Sequence, residues 1–331
     1  MSLFSRIPDK VLRSARSVIY SLHAEDMIYR MRRQGDVVIM YHNVLPKTKQ
    51  DLNIRNISVA DFHQSLAYLK KKVDVVPLRE ILTTKANSGR VSITFDDGLL
   101  NNLYHALPVL EDLKLHATFF MPTPWINGNN MLWPDELSRI LRKVKGDVQF
   151  DDRRFTRVYK NQFRAVIGGE KLENALLNID PLSVDGILAK LKRDAGIDLD
   201  KDLAPEEEWR VMKGEEIKIL SASNYVEIGS HSVSHKYLPQ LNDQQLNSEL
   251  VESKRYLEQV CQKDIDMFAF PFGGYSQRVV DACYAAGYNH LIAVNELVEG
   301  LTSKNKLCFR VGWYNDSSVV DQLHLINKSF V

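Results

Sequence analysis

Five side chains in this sequence could meet in a hydrolytic centre. Asp96 and Asp97 stand side by side at the end of the apolar run "VSITF", His231 and His235 lie in "HSVSH", and His42 closes "DVVIMYH". Two adjacent carboxylates repel one another and raise each other's pKa unless a cation sits beside them. One aspartate with two histidines makes a two-histidine, one-carboxylate face around a divalent metal, and leaves positions open for water and substrate. The other aspartate can then take a proton from that water as general base. The H-x3-H spacing would bring both imidazoles to one face if "HSVSH" forms a helical turn. An Asp-Asp-Gly turn closing a strand would account for one aspartate but not for a buried pair.

The elements that must position these groups follow a β/α rhythm. "DVVIMYH" reads as a strand, and "VADFHQSLAYLKKK" as a helix capped by Ser58 with Asp61 three residues on. "VDVVPL" and "VSITFDD" are strands, followed by the helix "GLLNNLYHALPVLEDL", bent near Pro108, and the strand "HATFFMP". The rhythm resumes with the strand "YVEIGSH", the helix "DQQLNSELVESKRYLEQV", the strand "MFAFPFG", the helix "SQRVVDACYAAGY" ending near Gly287, and the strands "HLIAVN" and "CFRVGW". Such alternation indicates parallel β/α units and suits a closed or nearly closed β/α barrel, with a doubly wound open sheet as the competitor. In either fold functional groups collect at the carboxyl ends of strands, where His42, Asp96, Asp97 and His231 all fall. Residues 125–205 interrupt the pattern with a hairpin around Asp151–Arg154 and polar helices, and read as an inserted α+β segment. Residues 1–34 form a basic segment whose Val11, Leu12, Ala15, Val18, Ile19 and Leu22 fall on one helical stripe. That stripe suits packing on the main domain or contact with an anionic membrane surface.

A chain of 331 residues with 44% apolar and 26% charged residues has the composition of a soluble globular protein. A net charge of +1 gives no reason to expect a nucleic-acid partner. Three widely spaced cysteines, Cys261, Cys283 and Cys308, make a disulfide framework unlike this chain and favour a reducing compartment. The N-terminus lacks the apolar core of a secretory signal, and no apolar run approaches the roughly 18 residues of a membrane span. These readings together place the protein in the cytoplasm, with a peripheral location at the inner face of the membrane if residues 1–34 bind there.

"TFDDG" (94–98), "GSHSVSH" (229–235) and "FAFPFGGYS" (268–276) resemble, in this order, the first three motifs of the NodB-type polysaccharide deacetylases, carbohydrate esterase family 4. The resemblance covers about 85–125 and 205–296. It implies a distorted (β/α)7 barrel over 35–331, interrupted by the insertion. It makes Asp96 the base, Asp97, His231 and His235 the metal ligands, and zinc the expected ion. Pro271, Phe272 and Gly273 would line the substrate groove, with a backbone N–H near Phe272 facing the tetrahedral oxyanion. The chain departs from the family pattern twice. Ala269 stands where many members have an arginine that orients the base, leaving Arg310 in "FRVGW" as the candidate replacement. The late L-x-H motif that supplies the acid is poorly matched by "QLHLIN" with His324, so His42 of "MYHNV" is preferred as general acid.

The implied activity is metal-dependent hydrolysis of an N-acetyl group on an amino sugar, in a nucleotide-linked, lipid-linked or oligomeric glycan. Trp313 is a candidate to stack on a sugar ring, as are Trp125 and Trp133. The competing readings are a hydrolase of a non-sugar amide on the same fold, and a non-catalytic glycan-binding protein.

Overall fold

The computed structural model describes residues 36–47, 55–85, 89–128, 130–199, 206–294 and 307–313. The basic segment 1–34 and His324 lie outside the described residues. The chain begins with β1 (Val37–Tyr41), β2 (Asn43–Leu45) and β3 (Asn56–Ser58), then α1 (Val59–Lys72), β4 (Asp74–Val75), α2 (Leu78–Thr83) and β5 (Arg90–Phe95). A π-helical turn at Asn102–Ala106 runs into α3 (Leu107–Leu113), followed by β6 (Ala117–Met121). The inserted part carries α4 (Trp133–Lys143), β7 (Val148–Phe150), β8 (Arg153–Tyr159), β9 (Gln162–Ala165), α5 (Leu172–Leu177) and α6 (Val184–Asp194). The chain then returns through α7 (Gly214–Ser221), β10 (Val226–Ser230), α8 (Asp243–Cys261), β11 (Met267–Ala269), α9 (Gln277–Ala285), β12 (His290–Ala293), β13 (Cys308–Phe309) and β14 (Val311–Gly312).

The main sheet runs β13-β12-β11-β10-β6-β5-β1-β14, with β4 added beside β5, and every pairing in it is parallel. β13 and β14 are one stretch broken at Arg310: the first half pairs with β12 and the second with β1. The ring therefore closes through residues 308–312, and its members are β1, β5, β6, β10, β11, β12 and this shared strand. That is a seven-stranded β/α barrel, as the resemblance implies, and not an open doubly wound sheet. β1, β5 and β6 are buried along their whole length, as strands covered on both faces must be, which explains their unbroken β-branched and aromatic runs. Tyr41, Phe62, Phe95 and Phe119 interlock in the core, with Phe95 and Phe119 stacked at 4.6 Å.

Local chemistry sets the outer helices. Ser58 accepts the Asp61 N–H at the start of α1, and Asn242 and Gln245 form a reciprocal capping box at the start of α8. The irregularity expected near Pro108 is a π turn. Proline has no N–H for the α-helical ladder, and the wide turn just before it is closed by the Leu107 N–H on the Asn102 carbonyl. At the amino ends of the strands, polar groups are consumed in ion pairs, Arg90 with Asp36 at 2.6 Å and Arg79 with Asp266 at 2.8 Å. That end is built for stability, while the carboxyl ends carry the chemistry.

The segment between β6 and β10 packs around a core of its own, in which Leu137, Ile140, Phe155, Phe163, Leu176 and Leu188 are buried. β7, β8 and β9 form an antiparallel sheet. Asp151 and Asp152 turn between β7 and β8 with φ of 49° and 55°, the left-handed pair that a tight hairpin requires. Phe272, from the loop after β11, packs against this second core, so the inserted part abuts the carboxyl end of the barrel.

Candidate active site

Each of the five groups leaves the end of a barrel strand. Asp96 and Asp97 follow β5, His42 follows β1, and His231 and His235 follow β10; all five are buried. Asp97 takes φ of 69°, and Gly98 continues the turn at 56°. A Cβ on Gly98 would lie 2.9 Å from Met121 Cε and 3.1 Å from Pro122 Cδ, so both backbone and space require glycine there. This turn aims the two carboxylates at different partners.

Asp97 faces the histidines. Its Oδ1 lies 3.2 Å from His235 Nε2 and 3.8 Å from His231 Nε2. One ligand atom from each of Asp97, His231 and His235 falls within 4.8 Å of the others. Ligands about 2.0–2.1 Å from a tetrahedral zinc are separated by ~3.3 Å from one another, so the donor set fits a divalent cation with little adjustment. The tautomer of His231 agrees: its Nδ1 is 2.7 Å from the Ala269 carbonyl, which accepts that N–H and leaves the Nε2 lone pair toward the cluster. Burial, opposed by Asp96, lowers the His231 pKa to about 4 and keeps the ring neutral, as a ligand must be. Burial alone would raise Asp97, but the bond and charge of His235, with His42 and Arg55, hold it well below the usual carboxylate range.

"HSVSH" is not a helical turn. His231–His235 is a loop in which Ser232 and His235 adopt φ of 65° and 53°. The rings nevertheless meet, 4.9 Å apart at 62°. The loop can bring two nitrogens to one point without the helix that the spacing alone suggested.

Asp96 faces Arg310. The guanidinium donates to both carboxylate oxygens, at 2.6 and 2.7 Å, and to Thr94 Oγ1 at 3.2 Å. Arg310 occupies the break between β13 and β14, its side chain wholly buried and over the Phe120 ring. Ala269 contributes only its carbonyl, to His231, so the guanidinium reaches Asp96 from the closing strand of the barrel. Burial pushes the Asp96 carboxyl up, but Arg310, with His231, outweighs it and holds the group ionised.

His42 is held through its backbone: Asn102 Nδ2 donates to its carbonyl at 2.7 Å, while its Nδ1 is buried without a hydrogen-bond partner among the described residues. Burial lowers its pKa to about 4, only partly opposed by Asp97. Asn101 braces the same turn, accepting the Val44 N–H and donating to Asn43 Oδ1. These asparagines were missed by sequence reasoning, although "DDGLLNN" places them directly after the aspartates. Arg55, 3.8 Å from Asp97 and partly exposed at the rim, was missed too, since nothing in "NIRNIS" marks it. So was Asp135 in the first turn of α4, whose carboxyl is pushed up to about 7 by burial and then by the Asp97 charge. "WPDEL" signals a helix start and no more.

Pro271, Phe272 and Gly273 form a tight turn after β11 in which Phe272 takes φ of 57° and Gly273 66°. The Phe272 ring lies 4.6 Å from that of His235 and 5.4 Å from that of Trp133, whose Nε1 donates to the His235 carbonyl at 3.1 Å. Trp133 is thus a brace for the cluster. The structure does not bring Trp313 to an open sugar-binding face. It is 4% exposed, its ring stacks on Tyr41, and its backbone N–H donates to the Met40 carbonyl, because the end of β14 is zipped to β1.

Residues 83–146 and 204–291 match the family model described as polysaccharide deacetylase. The chain carries a polysaccharide deacetylase domain. The gap in the match, 147–203, begins within β7–β9's approach and takes in the antiparallel sheet, α5 and α6. Solved structures of similar fold include a polysaccharide deacetylase from Bacillus cereus (18% identity, 89% of this chain and 69% of that one, TM-score 0.53). Two others are the deacetylase PplD of Streptococcus pyogenes in complex with acetate (14%, 88% and 97%, 0.56) and IcaB from Ammonifex degensii (18%, 90% and 98%, 0.54). No curated protein sequence matches the chain. The domain is a hydrolase of the class that cleaves N-acetyl amide bonds on sugars, and its site residues suit a divalent metal. Among the described residues, no helix is long and apolar enough to cross a membrane.

Proposed function

We propose that Asp96, paired with Arg310, is the general base of a metal-dependent sugar N-deacetylase, and that Asp97, His231 and His235 hold the metal. The observation that carries this reading is the division of labour between adjacent carboxylates. Asp97 turns to two imidazoles, while Asp96 is kept ionised by a guanidinium. A divalent cation at the Asp97 cluster, most simply zinc, would supply Lewis-acid polarisation of the acetamide carbonyl and acidify a water.

The protein's own residues do the rest. Asp96 takes the proton of the attacking water, and Arg310 fixes the direction of its oxygens. The Phe272 backbone N–H and the turn Pro271–Gly273 face the developing oxyanion and the sugar. His42 rests neutral because it is buried. As negative charge builds on the tetrahedral oxyanion, the proton affinity of His42 rises; it takes up the proton that Asp96 removed from water and passes it to the departing amine, so both groups return to their starting states. The C–N bond breaks to give acetate and a free amino sugar.

The substrate proposed is an N-acetylated amino sugar in a nucleotide-linked, lipid-linked or oligomeric glycan. A cytoplasmic setting is supported by three cysteines that are all free. Residues 1–34, basic and apolar in helical register, are the proposed membrane contact, to be tested by co-sedimentation with anionic liposomes with and without that segment. The test of function is acetate release from free, nucleotide-linked and oligomeric N-acetylglucosamine-type substrates with added zinc. Asp96→Asn should abolish release while metal stays bound, and His231→Ala should lose the metal. Full turnover in Asp96→Asn would sink the assignment.

A further inference from the structure

The loop that presents both histidines is held in an unfavourable shape. Ser232 and His235 both adopt left-handed backbone angles, which are unfavourable for a non-glycine residue and persist only when the surroundings enforce them. Some of the enforcement is local: the His235 N–H bonds Ser232 Oγ at 3.2 Å, and the Thr123 N–H reaches the carbonyls of Ser232 and Val233. The remainder comes from across the barrel wall. Glu249, in the middle of α8 and 8% exposed, directs its carboxylate at the loop. Its Oε2 accepts the N–H groups of Val233 at 2.8 Å and Ser234 at 2.9 Å, and its Oε1 accepts the Ser234 hydroxyl. Val233 and Ser234 are the two residues between the strained positions.

One helical turn further, Ser253 shares the buried face of α8. It pairs with Ser230, the last residue of β10, at 2.9 Å, and with Tyr288. Two polar groups spaced four residues apart on an otherwise apolar face thus fasten the stretch on both sides of His231. A buried carboxylate on such a face is expensive unless it finds donors, and here two backbone amides and the Ser234 hydroxyl supply them. Both N–H groups converge on one carboxylate oxygen, so the curl of the loop between the histidines follows the position of Glu249 Oε2.

We propose that Glu249 is a positioning residue for the metal centre: its carboxylate clamps the loop between His231 and His235 and sets the separation of their ligating nitrogens. This rests on the reading of Asp97, His231 and His235 as the metal ligands. Glutamine at this position can keep the clamp, its amide oxygen accepting both N–H groups and its amide nitrogen donating to Ser234 Oγ. Alanine cannot.

The experiment measures Zn2+ affinity by competition with a chromophoric chelator, and the visible absorption spectrum of the Co2+-loaded protein, for the full-length chain and its variants. Glu249→Ala is expected to bind zinc about 10–100-fold more weakly, the range seen when a group that orients a metal ligand is lost, with an altered cobalt spectrum. Glu249→Gln should restore affinity to within about threefold and the spectrum to that of the parent, by retaining all three hydrogen bonds. Leu257→Ala, a cavity two turns along the same helix, controls for lost stability alone and should leave the spectrum unchanged. The proposal is overturned if Glu249→Ala, folded by circular dichroism, keeps parental affinity and spectrum, or if Leu257→Ala weakens zinc as much. Should Glu249→Ala fail to fold, Ser234→Ala decides: it removes one of the three contacts, and unchanged affinity there overturns the clamp. A parent protein that binds no zinc would instead remove the metal reading itself.

Discussion

Replacing Arg310 with methionine tests the pairing on which the proposed chemistry depends. The side chain is wholly buried and gives Asp96 two hydrogen bonds at 2.6 and 2.7 Å. Methionine fills similar volume and removes the charge. Two consequences follow from the same loss. Stability should fall by about 3–5 kcal/mol, the effect of leaving one member of a buried pair without its partner. The base should also change: the Arg310 charge holds the Asp96 carboxyl down against burial, and without it burial pushes the carboxyl up. Since the ionised carboxylate is the active form, the acid limb of the kcat/KM profile should move up. Arg310→Lys keeps the charge but not the two-pronged geometry, and should move the limb less while lowering kcat. The assay is acetate release against pH at saturating zinc, with metal content and thermal melts measured on the same samples. In an Asp96→Asn background the Arg310→Met effect on activity should nearly vanish, because both act through one group. A folded Arg310→Met enzyme whose acid limb coincides with the parent's would refute the argument.

His42→Gln should lower kcat by about 10²–10⁴ while KM and bound metal change little, as for loss of a proton-transfer group; parental kcat would remove His42 from the reaction. The metal-free protein should lose stability as pH falls from about 6.5 toward 4. His42 and His231 are lowered from 6.5 to about 4 in the fold, so the unfolded chain binds more protons throughout that window. Each contributes on the order of 3 kcal/mol to the loss, and urea melts across the range would show it; a flat profile would contradict the burial of these rings. Gly229→Ala should destabilise by about 1–3 kcal/mol, because its Cβ would lie 2.5 Å from the Phe120 ring and 3.2 Å from the Met267 carbonyl. An unchanged thermal midpoint would mean that the Phe120 ring can give way.

What could be read in the sequence was the identity of the groups and the strand ends that carry them. β-branched runs stop at His42, Asp96 and His231, and a parallel barrel brings such ends together whatever the details of its loops. Arg310 was legible only as a substitute for a missing arginine. That it sits where one strand changes neighbours, and so can turn inward, depends on the pairing of residues 308–309 with β12 and of residues 311–312 with β1, at the far end of the chain. Trp313 was misplaced for the same reason: the closure that frees Arg310 zips the next residues against β1 and packs the indole into the core.

The backbone of the site was the part that local reasoning could not reach. Asp97, Ser232, His235 and Phe272 all have positive φ, against the preference of every one of those residue types. A pattern rule applied to "HSVSH" favours a helical turn because it weighs only spacing. The structure pays for a loop instead, through Glu249 at its centre, Trp133 on the His235 carbonyl and Thr123 beneath Ser232. Those supports come from α8, α4 and the end of β6, distant in sequence. Their convergence explains why the strain collects here: a divalent ion needs three donors within about 3.3 Å of one another, and relaxed strand-to-helix turns from two different strands do not deliver that. On the proposed ligand set, the strain is a condition of metal binding, and removing a support should be felt first in the spacing of the ligands and only then in the stability of the barrel.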